Sequence, residues 1–225
     1  MIARAAIGTA WVAVVAVLLA LGTWQVQRRA WKLDLIAQVE ARIGAAPVAA
    51  PAAAGPADAY RRVTARGTYI TMRDSFVQAS TVRGPGWWIL TPLRTAEGKT
   101  ILINRGVMPS RAVPPPPPGT AVVTGLLRLS EPGGGFLRDN DAAADRWYSR
   151  DVAAIARKRG LAAVAPYFID ADAAANAPGQ PIGGLTVVSF SNNHLVYAIT
   201  WYTLALMAAL GFLYWRRVGR GEDAA

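Results

Sequence analysis

Two long apolar runs, one near each end, constrain this chain of 225 residues more than any other feature. The first covers 5–24 without a charged residue, and the second covers 195–215. At about 1.5 Å per residue each reaches about 30 Å, the thickness of a bilayer's hydrocarbon core. Trp11, Trp24, Trp201, Tyr214 and Trp215 stand where interfacial aromatic side chains are common. A cleaved signal peptide is the competing reading of the first run, with Ala20-Leu21-Gly22 as its small-x-small site. The long apolar core and a basic start limited to Arg4 and the amino terminus favour a retained anchor.

Two anchors place both termini on one side and the middle of the chain on the other. The expected division is an anchor at 1–26, a domain at 27–193, an anchor at 194–216 and a tail at 217–225. Arg216, Arg217 and Arg220 argue that the tail faces the cytoplasm or its equivalent, because cationic residues collect on that side. The first anchor departs from this pattern: Arg28, Arg29 and Lys32 follow it, against Arg4 before it. That departure calls for a reason.

Hydrophobic residues make up 53% of the chain and charged ones 17%, a balance that points to membrane segments. The net charge of +10 comes from scattered arginines, with no aromatic-basic stripe of a nucleic-acid module. Membrane lipids, through their anionic head groups, or an acidic ligand are therefore the expected partner of this charge, and nucleic acid is not expected as one. With no cysteine the chain has neither disulfides nor thiolate chemistry.

The middle reads as α+β, sheet-rich, and carried on the two membrane helices. A helix continues outward from the first anchor over 28–43, and an Ala/Pro linker occupies 45–57. Strands are expected at 60–70, 74–80, 87–93, 100–104, 121–129, 167–170 and 186–190, with turns at Gly84-Pro85-Gly86 and Glu97-Gly98. The five prolines at 114–118 predict an extended surface loop. A short helix over 151–160 has a basic last turn and stops at Gly160.

Enzymatic chemistry finds little support, and the chain is not expected to be an enzyme. His194 is the only histidine, so no histidine cluster can form. There is no Gly-x-Ser-x-Gly elbow and no Gly-x-Gly-x-x-Gly, and Gly133-Gly134-Gly135 lacks the Lys-Ser/Thr of a phosphate loop. Asp139, Asp141 and Asp145 lack the spacing of a calcium loop and read as a solvated acidic loop. His194 itself stands at the entrance to the second anchor, where imidazole suits iron ligation or proton transfer, or simply bonds lipid head groups.

Three segments speak together: Leu21-Gly22-Thr23-Trp24-Gln25-Val26-Gln27-Arg28-Arg29, then Gly86-Trp87-Trp88 with Ile103-Asn104-Arg105-Gly106, then Asn192-Asn193-His194-Leu195 with Tyr197, Thr200, Trp201 and Tyr202. Their order and spacing resemble the Surfeit-locus family of cytochrome c oxidase assembly factors, over nearly the whole chain. The segments 45–60 and 110–145 look peculiar to this sequence.

The resemblance implies an assembly factor that transiently binds or hands over haem a for insertion into oxidase subunit I, working beside haem A synthase. It implies a location in the bacterial or mitochondrial inner membrane, with the domain on the periplasmic or intermembrane-space side. It makes His194 the leading ligand of the haem iron. Tyr197, Ala198, Trp201 and Ala205 share a helical face with it, offering aromatic rings beside small residues, or else merely a packing stripe. Arg28, Arg29 and Lys32 would then hold the propionates, and Trp24 and Trp31 would close over the ring; otherwise they are interfacial anchors. Arg105 reads as structural, in a strand-to-loop position. The alternative function is a protein chaperone of subunit I with no haem site of its own.

Overall fold

The computed structural model describes residues 2–173, 179–186, 188 and 190–222. It divides into two compact units, Met1–Gln38 with Ser189–Ala225, and Val39–Val188. The first helix, α1 (Ile2–Gly44), runs unbroken through the apolar run and the basic stretch after it. No proline interrupts it before Pro47. Thr9 and Thr23 return their hydroxyls to the carbonyls of Ala5 and Leu19 one turn back, so neither hydroxyl faces an apolar surface unbonded.

The second unit is built on a sheet. Its elements are β1 (Val48–Ala49), a 3-10 turn at Pro56–Asp58, β2 (Arg62–Tyr69), β3 (Ser75–Thr81), β4 (Gly84–Thr95), β5 (Thr100–Met108) and β6 (Thr120–Leu129). A small hairpin of β7 (Gly134–Gly135) and β8 (Arg138–Asp139) follows, then α2 (Val152–Arg159) and β9 (Val164–Ala171). The sheet order is β1-β2-β6-β9-β5-β4-β3, and β2 also pairs with β4. That extra pairing closes β2, β6, β9, β5 and β4 into a barrel, which removes the free edges of those strands.

Alternation along each strand sorts side chains to the two sides of the barrel wall. Ile101, Ile103, Tyr167 and Ile169 join Val63, Leu93, Val123 and Leu127 in one core. Leu102 and Phe168, the intervening residues, join Val77, Leu90, Trp147, Val152 and Ile155 in another, where α2 covers the sheet. Burial pushes the Tyr167 phenol up to about 12, and its hydroxyl donates to the Pro51 carbonyl at 2.6 Å. α2 is capped as its sequence requires. Asp151 accepts from the Ala154 N–H at 2.9 Å, and Gly160 ends the helix at φ 62°.

Several sequence expectations change. The Ala/Pro stretch 45–57 is no free linker: Val48 and Ala49 pair with β2, and Ala50 and Ala54 pack on the barrel core. Gly84-Pro85-Gly86 is not the turn but the start of β4, paired with Ala79, Ser80 and Thr81; the chain reverses at 82–83. A Cβ at Gly86 would lie 2.6 Å from the Met108 carbonyl oxygen, so this glycine serves close strand approach. Of the strand expected at 186–190, Thr186, Val188 and Phe190 have no strand conformation, and 187 and 189 lie outside the described residues. Arg105 lies inside β5, not at its end.

The acidic loop is latched rather than merely solvated. Asp141 pairs with Arg146 at 2.8 Å, and Asp145 accepts from Arg159 and from the Trp147 indole at 2.7 Å each. Asp170, only 4% exposed, takes hydrogen bonds from Asn104, Arg128, Arg150 and Thr186. Such a buried carboxylate is held only because cations and donors surround it.

The last helix, α3 (His194–Glu222), returns to the first unit and packs on α1. Its own apolar run carries it, and the Asn193 carbonyl accepts the Tyr197 N–H at its first turn. Both helices are long and apolar enough to cross a membrane.

Candidate functional site

Small residues let α1 and α3 approach. Ala198 and Ala205 are buried at 3% and 2% exposure, and the Gly22 backbone lies against the Tyr202 ring. The Tyr202 hydroxyl is 3.1 Å from Thr23 Oγ1, and the Trp11 ring packs at Gly211. These contacts fix which faces meet.

Gln25 follows Thr23 by two residues and is buried at 8% exposure, an unusual place for an amide among apolar helices. Its Oε1 lies 2.7 Å from His194 Nδ1. An amide oxygen only accepts, so the ring donates Nδ1–H, and in the neutral imidazole that tautomer leaves the lone pair on Nε2. That is the arrangement by which a second residue orients a metal-ligating imidazole. Asn192 Oδ1, two residues before His194, is buried with no hydrogen-bond partner among the described residues.

The other residues singled out in the sequence are placed as follows. The Arg28 guanidinium lies 4.0 Å from the Trp31 ring centroid, a cation–π contact within α1. Lys32 Nζ donates to the Ser191 carbonyl, tying the exit of α1 to the entry of α3. Trp24, Trp31 and Tyr197 are each about half exposed, while Trp201 is partly buried. Arg29 is exposed. The face expected to hold Tyr197, Ala198, Trp201 and Ala205 is thus split: the alanines pack between helices, and the Tyr197 ring stays open. Gln25 was not among the residues singled out. Its signal was present, as a polar side chain next to Trp24 at the end of an uncharged apolar run.

Comparison with known proteins decides the lineage. The profile of the SURF1 family matches residues 12–206. The chain belongs to the SURF1 family. It is 37% identical to Surfeit locus protein 1 of Rattus norvegicus, over 89% of this chain and 72% of that protein. Against Surfeit locus protein 1 of Homo sapiens the identity is 36%, covering 89% of this chain and 74% of the relative. A SURF1-like protein of Monosiga brevicollis is 34% identical, over 88% of this chain and 83% of its own length. The match to the family spans Gln25, His194 and the whole barrel domain.

Proposed function

We propose that this SURF1-family chain is a membrane-anchored assembly factor for cytochrome c oxidase, which holds haem a transiently for insertion into subunit I. The single observation that supports the haem site most is the Gln25–His194 hydrogen bond of 2.7 Å, which leaves Nε2 as the ligating atom. Haem a would supply an iron that an imidazole can ligate and two anionic propionates. Of the residues present, His194 would ligate the iron. Trp201 and Tyr197 offer aromatic surface on its helix, and Trp24 and Trp31 flank Arg28 on the other. Lys32 and Arg28 would meet the propionates, Lys32 with the donors left beside its bond to Ser191. Haem A synthase and subunit I would be donor and recipient, and the setting would be the inner membrane, with the barrel domain on its outer side.

A chaperone without haem is the second reading. It is favoured by the engagement of Arg28 with Trp31 and of Lys32 with Ser191, which gives both cations a role in the protein alone. The test is an optical spectrum of the detergent-purified chain, co-expressed with haem A synthesis, beside His194→Ala. A stoichiometric haem a band that is lost or strongly shifted in the variant is expected. No band in well-folded wild type would remove the haem site and leave the chaperone.

A further inference from the structure

One inward position of the barrel breaks its apolar pattern. Along β5, Ile101 and Ile103 face the core, and the next residue on that side is Arg105. Arg105 is 9% exposed. Its guanidinium donates to Gln180 Oε1 at 2.7 Å and to the Pro114 carbonyl at 3.3 and 3.4 Å, and it lies 6.0 Å from the Tyr69 ring centroid. All of these partners are neutral.

Other arginines of the domain are treated differently. Arg62, Arg128, Arg150 and Arg159 each sit on a carboxylate within 3.5 Å. Among the described residues no carboxylate contacts Arg105, and Asp74 acts on it only through longer-range attraction. Burial pulls the Arg105 pKa below its ordinary value, with the Asp74 attraction opposing. A cation covered by protein, with neutral hydrogen-bond partners and only distant attraction from Asp74, is incompletely compensated. An anion entering from the barrel mouth would supply the missing partner.

There is room for one. A cavity of about 410 Å³ opens at this end of the barrel, lined by Arg105, Tyr69, Ala121, Val123, Ala171 and Pro181. Its size is that of a small-molecule site, and barrel mouths are a common place for such sites. Asp172 also reaches the wall, but Arg62 holds its carboxylate at 2.5 Å. The remaining uncompensated charge is positive.

We propose that the barrel mouth at Arg105 binds a small amphipathic anion, a carboxylate on an apolar body. The carboxylate meets the guanidinium, and the body lies against Val123, Ala171 and Pro181. The site belongs wholly to the barrel domain and does not depend on the haem reading.

The experiment uses the full chain in lipid nanodiscs, with methyl-labelled valine, and follows the Val123 resonances. The probes are 4-phenylbutyrate and its neutral counterpart 4-phenylbutanol. The acid is expected to shift Val123 saturably, with the alcohol about tenfold weaker, the size of one charge-assisted hydrogen bond. Arg105→Met is expected to remove the difference between the two. Ala121→Phe keeps the cation but fills the mouth, and is expected to lose both ligands; it carries the test if Arg105→Met does not fold. An alcohol that binds as well as the acid, or an acid that leaves Val123 unmoved at tens of millimolar, overturns the proposal.

Discussion

The helix pair and the barrel use the same apolar residue types in opposite ways. In the barrel domain the large side chains are inside: Trp147, Tyr167, Phe168 and Ile169 are at 0% exposure, with Arg146–Asp141 exposed and Arg128 and Arg150 folded over the buried Asp170. Between α1 and α3 the buried positions are alanine, glycine and one amide, while Val17 and Leu206 stand 58% and 60% exposed. A hydrophobic core drives folding only where water is the alternative. Where lipid is the alternative, close backbone approach and a few polar contacts do the work. The inverted distribution is the one a helix pair long and apolar enough to cross a membrane needs, and the barrel's is the one water requires.

The largest expected effect breaks or upholds that contrast with paired substitutions. Ile169→Ala is expected to cost the barrel about 2–5 kcal/mol, the range for emptying a packed core position. Leu206→Ala, which removes a similar side chain from the open face of α3, is expected to change stability by less than about 0.5 kcal/mol. Hydrogen exchange on the full chain in detergent, read separately for barrel and helix amides, measures both. Equal costs would mean that α3 buries its large face against protein, and the contrast would fall.

How much of this was legible in the sequence depended on whether a signal was local. Both apolar helices, the continuation of α1 past Lys32 and most strands were readable, because period and length are local properties. Asp151 and Gly160 marked α2 for the same reason. The barrel closure was not readable: it rests on pairing of Gly67, Thr68 and Tyr69 with Thr95, Arg94 and Leu93, a tertiary fact. Gly84-Pro85-Gly86 misled because turn-forming residues were here used for close strand approach. The stretch 45–57 misled because its composition hid a strand held by long-range contacts. At the candidate site His194 was legible as the only histidine, whereas Gln25 was not, since its role appears only when α1 meets α3. Arg105 reads as structural in the sequence, and its inward place on β5 appears only from the strand register.

Two substitutions sharpen the helix side of the comparison. A Cβ at Gly22 would lie 2.8 Å from the Tyr202 ring, so Gly22→Leu is expected to cost the helix pairing about 1–3 kcal/mol through overpacking. The chain has no cysteine, so the yield of a bismaleimide cross-link between Trp11→Cys and Gly211→Cys reports helix pairing cleanly. That yield is expected to fall in Gly22→Leu, and an unchanged yield would mean the glycine is not needed for approach. Gln25→Leu removes the acceptor from His194 and, on the proposed function, is expected to lower haem a affinity about 10–100-fold. Gln25→Glu keeps an acceptor there and is expected to retain binding in the same titration. If Gln25→Leu binds haem a as wild type does, the imidazole is oriented by something else.

Acid offers the smallest effect and separates the two units by chemistry. Burial of Glu131 works to raise its pKa, but the hydrogen bonds and charge of Arg150, with the charge of Arg128, outweigh it, and the carboxyl sits below its ordinary value of 4.5. A carboxylate whose pKa is lowered on folding stabilises the fold above its unfolded value and loses that contribution as pH falls through the folded one. Barrel stability should therefore decline as pH drops below 4.5, and Glu131→Gln should flatten part of that decline. Glu131 is 36% exposed in its side chain, so water screens the pairing and the change is expected to be modest. The Trp11–Gly211 contact contains no titrating group, and hydrogen-exchange protection of the helix amides should persist at a pH where the barrel has begun to soften. A variant that titrates with an unchanged slope would shift the acid sensitivity to another pair, with Asp145 and its partner Arg159 next in line, since that carboxyl too lies below its usual range.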